Sequence, residues 1–290
     1  MEAKLSPGIG VVILAGVSVA FAANHVAARV AFDHGASVAS GVVFRAAGTA
    51  LVLFVLMRLQ GVHISLAREL RGKTLLAGVL VAVQSYCLYS AVALIPAALA
   101  LLVFQTCPML YVLLSWAMGK EIPRPQAFAA MLLALVGLAL ALDVGGGKST
   151  ELGPGIAWAF AAAVSFSIVY YMNSHSLKSV DGRLRTCLMT AVTAVLVLIG
   201  GAATDKFALP ASATGWLGIA LLMVFYCIAM SSLFIVLPRL PAAATAALNF
   251  EPIALLGLAW VVLGQAVSAL QIIGAFVTVG AIAWLGVSKK

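Results

Sequence analysis

The chain has 290 residues, of which 64% are hydrophobic and only 9% are charged, and its formal net charge is +8. A soluble domain carries about 25% charged residues, so this composition excludes a water-soluble globular protein. The basic residues lie in short runs between apolar stretches and form no single basic tract with interleaved aromatics, which argues against nucleic-acid binding.

Ten apolar stretches follow one another along the chain, and each is long enough to cross about 30 Å of hydrocarbon as a helix. Membrane β-strands need only about ten alternating residues, so these lengths predict helices. The sequence therefore predicts an all-α integral membrane protein with ten transmembrane helices. The predicted spans are Gly8 to Val30, Ala36 to Met57, Thr74 to Ile95, Ala97 to Met118, Pro125 to Leu142, Gly155 to Asn173, Leu184 to Ala203, Gly215 to Leu237, Ala242 to Leu263 and Val267 to Val287.

The positive charges predict the orientation. If the N-terminus is cytoplasmic, the cytoplasmic segments hold Lys4, Arg58, Arg68, Arg71, Lys73, Lys120, Arg124, Lys178, Arg183, Arg185, Arg239, Lys289 and Lys290. The opposite side holds only Arg29, Lys148 and Lys206, and Arg45 lies inside a span. Because cytoplasmic loops carry the excess of Lys and Arg, we expect a multi-pass protein of the cell inner (plasma) membrane with both termini in the cytoplasm.

The two halves of the sequence resemble each other. Short motifs recur at an offset of about 145 residues: Pro96-Ala97-Ala98 with Pro241-Ala242-Ala243, Pro108 with Pro252, Pro7-Gly8-Ile9 with Pro154-Gly155-Ile156, and Thr49-Ala50 with Thr193-Ala194. A repeat of five spans places its second copy in the membrane upside down, as in many secondary transporters. We expect one repeat over residues 1–144, a linker at 145–154 and a second repeat over 155–290.

Several motifs carry a resemblance to a known family. They are Phe44-Arg45-Ala46-Ala47, Ile95-Pro96-Ala97-Ala98 with Pro108, Gly119-Lys120-Glu121, Pro241-Ala242-Ala243, Leu248-Asn249-Phe250-Glu251-Pro252, and Leu270-Gln271 with Gly274. With these motifs the whole chain resembles the drug/metabolite transporter superfamily, specifically its ten-helix EamA-type exporters, and most closely the YddG-like amino-acid exporters. The resemblance implies export of small metabolites across the inner membrane by alternating access, without a bound organic cofactor.

Two ionisable residues lie deep inside predicted spans, Arg45 in the second and Glu251 in the ninth. A charge at mid-bilayer costs roughly 2.5–3.5 kcal/mol on insertion scales, so each is a functional candidate. Arg45 would bind the carboxylate of an amino acid, and Glu251 would bind its ammonium group or a coupling proton. The alternative is that both residues pair with backbone carbonyls, each other or water and fix helix packing.

Helical phase separates the polar residues of the ninth span. At about 100° per residue, Thr245, Asn249 and Trp260 share one stripe, and Glu251 points about 160° away from Asn249. We therefore expect Asn249 to line the substrate site and Glu251 to face a neighbouring helix.

Further polar residues complete a predicted binding ring near the membrane midplane. The first span offers Asn24 and His25, and His25 could bind substrate or titrate during transport. In the third span we prefer Tyr86 to Tyr89, since tyrosines near a membrane end often belong to the interfacial belt. The remaining candidates are Gln105, Tyr171 and Tyr226. Polar packing between helices is the competing explanation for each of them.

Competing function classes have weaker support. An intramembrane enzyme acting on lipid or peptide needs paired acids, HExxH or a Ser with a His inside the membrane, and none of these patterns occurs. Gly147-Lys148-Ser149 imitates the end of a phosphate-binding loop, but the required first glycine falls at Leu142. We expect a monomer that contacts membrane lipid and a small-molecule substrate, with no metal, cofactor or nucleic acid. An exporter of a non-amino-acid metabolite or drug remains an alternative.

Overall fold

The computed structural model describes residues 7–62, 64–119, 122, 124–142, 149–236 and 250–288. Helices account for most of these residues. They are α1 (Pro7–Asp33), α2 (Val38–Leu59), α3 (Arg68–Leu94), α4 (Ala97–Phe104), α5 (Cys107–Ala117), α6 (Pro125–Ala141), α7 (Ser149–His175), α8 (Gly182–Ala203), α9 (Ala213–Val236), α10 (Glu251–Leu263) and α11 (Ala269–Ser288).

The helices match the predicted number of spans. Among the described residues, seven helical segments are long and apolar enough to cross a membrane, with α4 and α5 counted as one segment, and three shorter apolar helices bring the total there to ten. Large hydrophobic side chains remain on the outer surface of the bundle, among them Leu51, Val195 and Val261. Such a surface is stable against lipid and unstable in water, so the chain is a multi-pass membrane protein.

The fourth predicted span is interrupted. Its two halves, α4 and α5, are separated at Gln105 and Thr106, whereas the sequence predicted one helix from Ala97 to Met118. Pro108 explains the break, because it has no N–H to donate to the carbonyl of Phe104 and its ring crowds the preceding turn. The equivalent Pro252 lies at the second position of α10, so the start of that helix repeats the start of α5.

The junction between the halves also differs from the prediction. Helix α7 begins at Ser149 and includes Pro154, so the last residues of the expected linker are helical. Residues 143–148 lie outside the described part of the chain. Pro154 falls within the first two turns of α7, where only one backbone hydrogen bond is lost.

The packing of the helices repeats in the two halves. Helix α1 packs on α9 as α7 packs on α3, and α2 packs on α9 as α8 packs on α3. Helix α1 packs on α10 as α7 packs on α5, while α2–α8 and α6–α11 pair with their own counterparts. This exchange of partners is what a two-fold relation between five-helix repeats requires, so the fold consists of two inverted repeats whose helices interleave.

Small residues allow the closest of these approaches. A Cβ on Gly48 of α2 would lie 2.5 Å from the side chain of Met223 in α9, and a Cβ on Gly78 of α3 would lie 2.8 Å from Val192 in α8. These two contacts are equivalent in the repeats. At the α6–α11 crossing, Gly137 and Gly274 each face the backbone of the opposite helix. Small residues at helix interfaces are the usual means of close packing in lipid, where no hydrophobic force drives helices together.

The N-terminal ends of α2 and α8 are tied to loops of the other repeat. Ser37 caps α2 and donates its N–H to the carbonyl of Ala208 at 3.0 Å. Asp181 caps α8, and the neighbouring Arg183 donates to the side chain of Gln60 at 2.5 Å. The α2–α8 pair is therefore held at both of its ends.

Candidate functional site

Arg45 lies in the middle of α2 and is almost completely buried, with 6% of its surface exposed. Its Nη2 donates a hydrogen bond to the hydroxyl of Ser85 on α3 at 2.7 Å, and Ser85 in turn donates to Gln84. The Nε atom of Arg45 has no hydrogen-bond partner. Among the described residues the ion pairs do not include Arg45, so its positive charge is not neutralised by a carboxylate.

Two tyrosine rings contact the guanidinium of Arg45. Its carbon atom lies 4.1 Å from the ring centre of Tyr226 on α9 and 4.9 Å from that of Tyr89 on α3. Cation–π contacts of this kind are worth up to about 2 kcal/mol when desolvated. They stabilise the buried charge only in part, since each quadrupole offers much less than a counter-ion. The arrangement leaves Arg45 able to bind an anionic group.

Asn24 and His25 of α1 extend this cluster. The side-chain amide of Asn24 is hydrogen-bonded to the hydroxyl of Tyr89 at 2.8 Å, and the ring of His25 lies beside that of Tyr89, 5.6 Å between centroids. Asn24 and Tyr89 are each 1% exposed. This bond holds the ring of Tyr89 in place against Arg45.

His25 also contacts Glu251, the first residue of α10. The Nε2 atom of His25 lies 3.4 Å from Oε1 of Glu251, and the two side chains are 7% and 22% exposed. Glu251 is also close enough to Tyr89, Tyr226 and Tyr170 to act on them electrostatically. Its position in the first turn of α10 favours a carboxylate, because unpaired N–H groups and the helix dipole point at it.

The structure brings together five of the predicted site residues: Asn24, His25, Arg45, Tyr226 and Glu251. They come from α1, α2, α9 and α10, and Tyr89 and Ser85 of α3 join them. The sequence passed over Tyr89 as an interfacial residue and left Ser85 out of the ring. The spacing of Ser85 and Tyr89 could have predicted that they act together, since residues four apart lie on the same face of a helix.

Three predicted residues lie elsewhere. Tyr86 is half-buried and packs edge-on against Trp158 of α7, 6.3 Å between ring centres. Gln105 is half-buried at the break between α4 and α5. Tyr171 stacks on His175 at the end of α7, 4.5 Å between ring centres. Its neighbour Tyr170, which the sequence did not select, packs against Phe166 at 4.6 Å.

The ninth span is described only from Phe250 onward, and Asn249 lies outside the described residues. The place of Asn249 at the substrate site therefore stays a prediction. Glu251 faces His25 of α1. Trp260, which is 64% exposed, lies nine residues later and on the opposite face of α10 at about 100° per residue.

Comparison with known proteins decides the family. The model of the EamA-like transporter family matches residues 8–142 and again residues 153–287. The chain belongs to the EamA-like transporter family. No curated protein matches it. A solved crystal structure of a protein is similar to it with a TM-score of 0.67 and 22% sequence identity, over 95% of this chain and 97% of that one. This likeness shows the fold.

Membership of the family indicates what the chain as a whole does. EamA proteins are membrane transporters and not enzymes, so this EamA chain moves small molecules across a membrane. Its buried polar groups lie between helices of the two repeats, where repeat transporters hold their substrates. The chemistry of those groups therefore bears on which substrate is carried.

Proposed function

We propose that the protein is a secondary transporter that exports amino acids across the cell inner membrane by alternating access. The observation that carries this proposal is Arg45, whose guanidinium is buried without a carboxylate partner among the described residues. Leaving a charge unpaired in a low-dielectric interior is costly unless a ligand neutralises it. A substrate carboxylate supplies this neutralisation in the bidentate geometry that a guanidinium prefers.

The surrounding residues favour a neutral amino acid. Glu251 supports an ammonium group on the far side of the cluster, and the rings of Phe21, Tyr226 and Tyr170 offer an apolar and aromatic environment for a side chain. A ligand site of this kind combines apolar walls with a few polar anchors. These features agree with the resemblance to YddG-like exporters and support neutral, including aromatic, amino acids as substrates.

A carboxylate metabolite without an amine is the second candidate substrate. It is favoured by the contact between Glu251 and His25, which already gives the carboxylate a partner. The two candidates differ in whether the amine contributes to recognition, so they make different predictions for amine-free analogues.

Flux through the purified protein in proteoliposomes tests the proposal. A panel of radiolabelled amino acids would be loaded inside, with protein-free liposomes as the control. Export of L-phenylalanine, inhibited by other neutral amino acids, is the expected result. Failure of every amino acid in the panel to move would contradict the proposal, and equal inhibition by 3-phenylpropanoate would favour the amine-free candidate.

The proposed orientation has a separate test. Single cysteines would replace Lys148 and Lys178, which the charge distribution places outside and inside the cell. An impermeant thiol reagent applied to intact cells should label only the variant at position 148. The wild type is the matched control for labelling of the native cysteines, of which Cys87, Cys107 and Cys187 are buried and Cys227 is partly buried. Labelling at position 178 alone would show that the orientation is opposite to the one proposed.

A further inference from the structure

The first turns of α3 present a cationic surface at one end of the bundle. Arg68 and Arg71 are both exposed, and the exposed Arg58 near the end of α2 is joined to them by the loop 60–67. Among the described residues, the ion pairs do not include any of these three arginines. We propose that this surface binds one anionic phospholipid, whose phosphate pairs with Arg68 and Arg71 and whose acyl chains lie along α3. This inference goes beyond the proposed function and does not depend on the substrate.

An apolar stripe continues from these arginines along α3. Leu75, Val79 and Val83 are exposed, and at about 100° per residue they fall within roughly 80° of one another around the helix. Arg68 falls inside the same arc. The stripe from Leu75 to Val83 is about 12 Å long at about 1.5 Å per residue, which is close to the thickness of one hydrocarbon leaflet, about 15 Å. Arg68 therefore lies where a phospholipid head group lies when its acyl chains cover the stripe.

The guanidinium groups lie at the boundary between the apolar surface and the polar loop. Nε of Arg71 donates a hydrogen bond to the carbonyl of Leu66 at 3.4 Å, which keeps the side chain beside the loop that precedes α3. The guanidinium of Arg58 lies 6.0 Å from the ring centre of Phe54, an exposed residue one turn earlier on α2. Cations in this region attract anionic lipids, and a guanidinium binds a phosphate through two parallel N–H···O bonds. A lipid phosphate therefore matches the charge and the geometry of this surface.

The neighbouring carboxylate of Glu69 does not cancel this charge. Glu69 lies in the first turn of α3, directly after Arg68 in the sequence. At about 100° per residue it points roughly 100° away from Arg68 and 160° away from Arg71, but only about 40° away from Lys73. A glutamate followed four residues later by a lysine is a favourable pair on a helix surface, so Lys73 is the better partner for Glu69. The charges of Arg68 and Arg71 are therefore available to an anionic ligand.

The equivalent helix of the second repeat has other residues at these positions. Helix α3 begins at Arg68 and α9 begins at Ala213, so Ala213 and Trp216 are the equivalents of Arg68 and Arg71. Trp216 packs edge-on against Phe44, 5.9 Å between ring centres. Helix α9 forms without the arginines, so the repeated fold does not require them on α3. Because the repeats are inverted, we expect this lipid site at one membrane surface, which the proposed orientation makes the cytoplasmic one.

Titration of the full-length protein with lipid tests the site. Purified protein in a neutral detergent would be titrated with phosphatidylglycerol or with phosphatidylcholine, and the bound lipids would be counted by native mass spectrometry. We expect one phosphatidylglycerol to bind first, with phosphatidylcholine at least about tenfold weaker. The double variant Arg68→Gln/Arg71→Gln should bind phosphatidylglycerol no better than phosphatidylcholine. Lys206→Gln, which removes an exposed cation at the other end of the bundle, is the matched control and should behave like the wild type.

Glycerol 3-phosphate distinguishes a lipid site from a site for a free anion. It should not displace phosphatidylglycerol, because it has no acyl chains to cover the apolar stripe of α3. The melting temperature of the wild type should rise with phosphatidylglycerol and not with phosphatidylcholine, and this rise should shrink at high salt. These wild-type measurements decide the outcome even if the double variant does not fold.

Three results would each overturn the inference and leave the proposed function intact. They are equal binding of the two lipids by the wild type, equal binding of phosphatidylglycerol by the wild type and the double variant, and complete displacement of phosphatidylglycerol by glycerol 3-phosphate. Absence of amino-acid flux, by contrast, would overturn the proposed function and leave the lipid site intact.

Discussion

Helices α2 and α8 are the same element in the two repeats, and they differ at one decisive position. Each has 22 residues, they begin 144 residues apart, and each contains an equivalent threonine, Thr49 or Thr193, that bonds the carbonyl four residues earlier. Four residues before Thr49 lies Arg45, whereas four residues before Thr193 lies Met189. The helix and its packing are repeated, but the charge is present once.

The side chains packed around Met189 and Arg45 differ in the same way. Met189 is buried in an apolar cluster with Leu53, Met57 and Cys187. Arg45 is instead buried among Ser85, Tyr89 and Tyr226. The repeat thus supplies a two-fold scaffold, and arginine in place of methionine at this one position gives the site a fixed cationic end. The predictions below test whether Arg45 binds substrate or only fixes the packing of helices.

Replacing Arg45 with Met makes α2 like α8 and should have the largest effect. Truncating one partner of a buried charge pair costs about 2–5 kcal/mol, so the flux of L-phenylalanine at low concentration should fall by roughly thirtyfold or more. The measurement is initial efflux from proteoliposomes. Met189→Leu, a volume-conserving change in the other repeat, is the matched control. Equal flux in Arg45→Met and wild type would show that Arg45 is structural.

Alanine in place of the glycine should destabilise the two equivalent contacts, Gly48–Met223 and Gly78–Val192, unequally. Gly78→Ala meets the stiff, β-branched Val192, whereas Gly48→Ala meets the flexible end of Met223. Overpacking typically costs about 1–3 kcal/mol, so Gly78→Ala should lower the melting temperature in detergent clearly more than Gly48→Ala does. The opposite order would contradict the assignment of the larger strain to the stiff side chain of Val192.

The hydroxyl of Ser85 gives Arg45 its side-chain hydrogen bond, so Ser85→Ala should weaken binding without removing the charge. Hydrogen bonds to charged groups are worth about 1.5–3 kcal/mol, part of which a substrate carboxylate can replace. A rise of about tenfold in the Kd for L-phenylalanine is expected by calorimetry. Ser90→Ala on the same helix is the control. A loss as large as that of Arg45→Met would mean that Ser85 itself is the main ligand.

Asp181, outside the membrane spans, should show the smallest effect. The hydrogen-bonded side chain of Arg183 lowers the pKa of Asp181, and Asp181 also caps α8. Asp181→Ala should cost about 1 kcal/mol at pH 7, and Asp181→Asn, which keeps the cap, should cost less. A lowered pKa stabilises the fold above the unfolded value of about 3.9 and ceases to do so as the pH falls through the folded value. Thermal melts should therefore converge for Asp181→Asn and wild type in acid, and a constant difference would contradict this.

The sequence predicted the repeated scaffold better than the site. Hydropathy and length gave ten spans because every span must be apolar for about 20 residues, and this signal is strong. Arg45 and Glu251 were found because charges in lipid are costly and rare. The break at Gln105 follows from Pro108, so it could have been predicted from the sequence. The contact between Glu251 and His25 was not within reach, since hydropathy in an apolar helix does not distinguish lipid from protein neighbours.

Tyr89 shows the same limit on α3. It lies three positions after Tyr86, and both are tyrosines, so the residue type offers no choice between them. The packing of α1, α2 and α7 against α3 decides that Tyr89 meets Asn24 and Arg45 while Tyr86 meets Trp158. Contacts between helices distant in the sequence determine such choices, and a single sequence does not record them.

The central claim is that Arg45 binds the carboxylate of the substrate. A thermodynamic cycle that combines Arg45→Met with removal of that carboxylate tests this claim most directly. L-phenylalanine and phenethylamine, which lacks the carboxylate, would each be titrated into wild type and Arg45→Met. The account predicts that removing the carboxylate weakens binding strongly in the wild type and little in Arg45→Met, so that the two changes are coupled by about 2 kcal/mol or more. Additive losses would show that Arg45 does not contact the carboxylate, and would contradict the account.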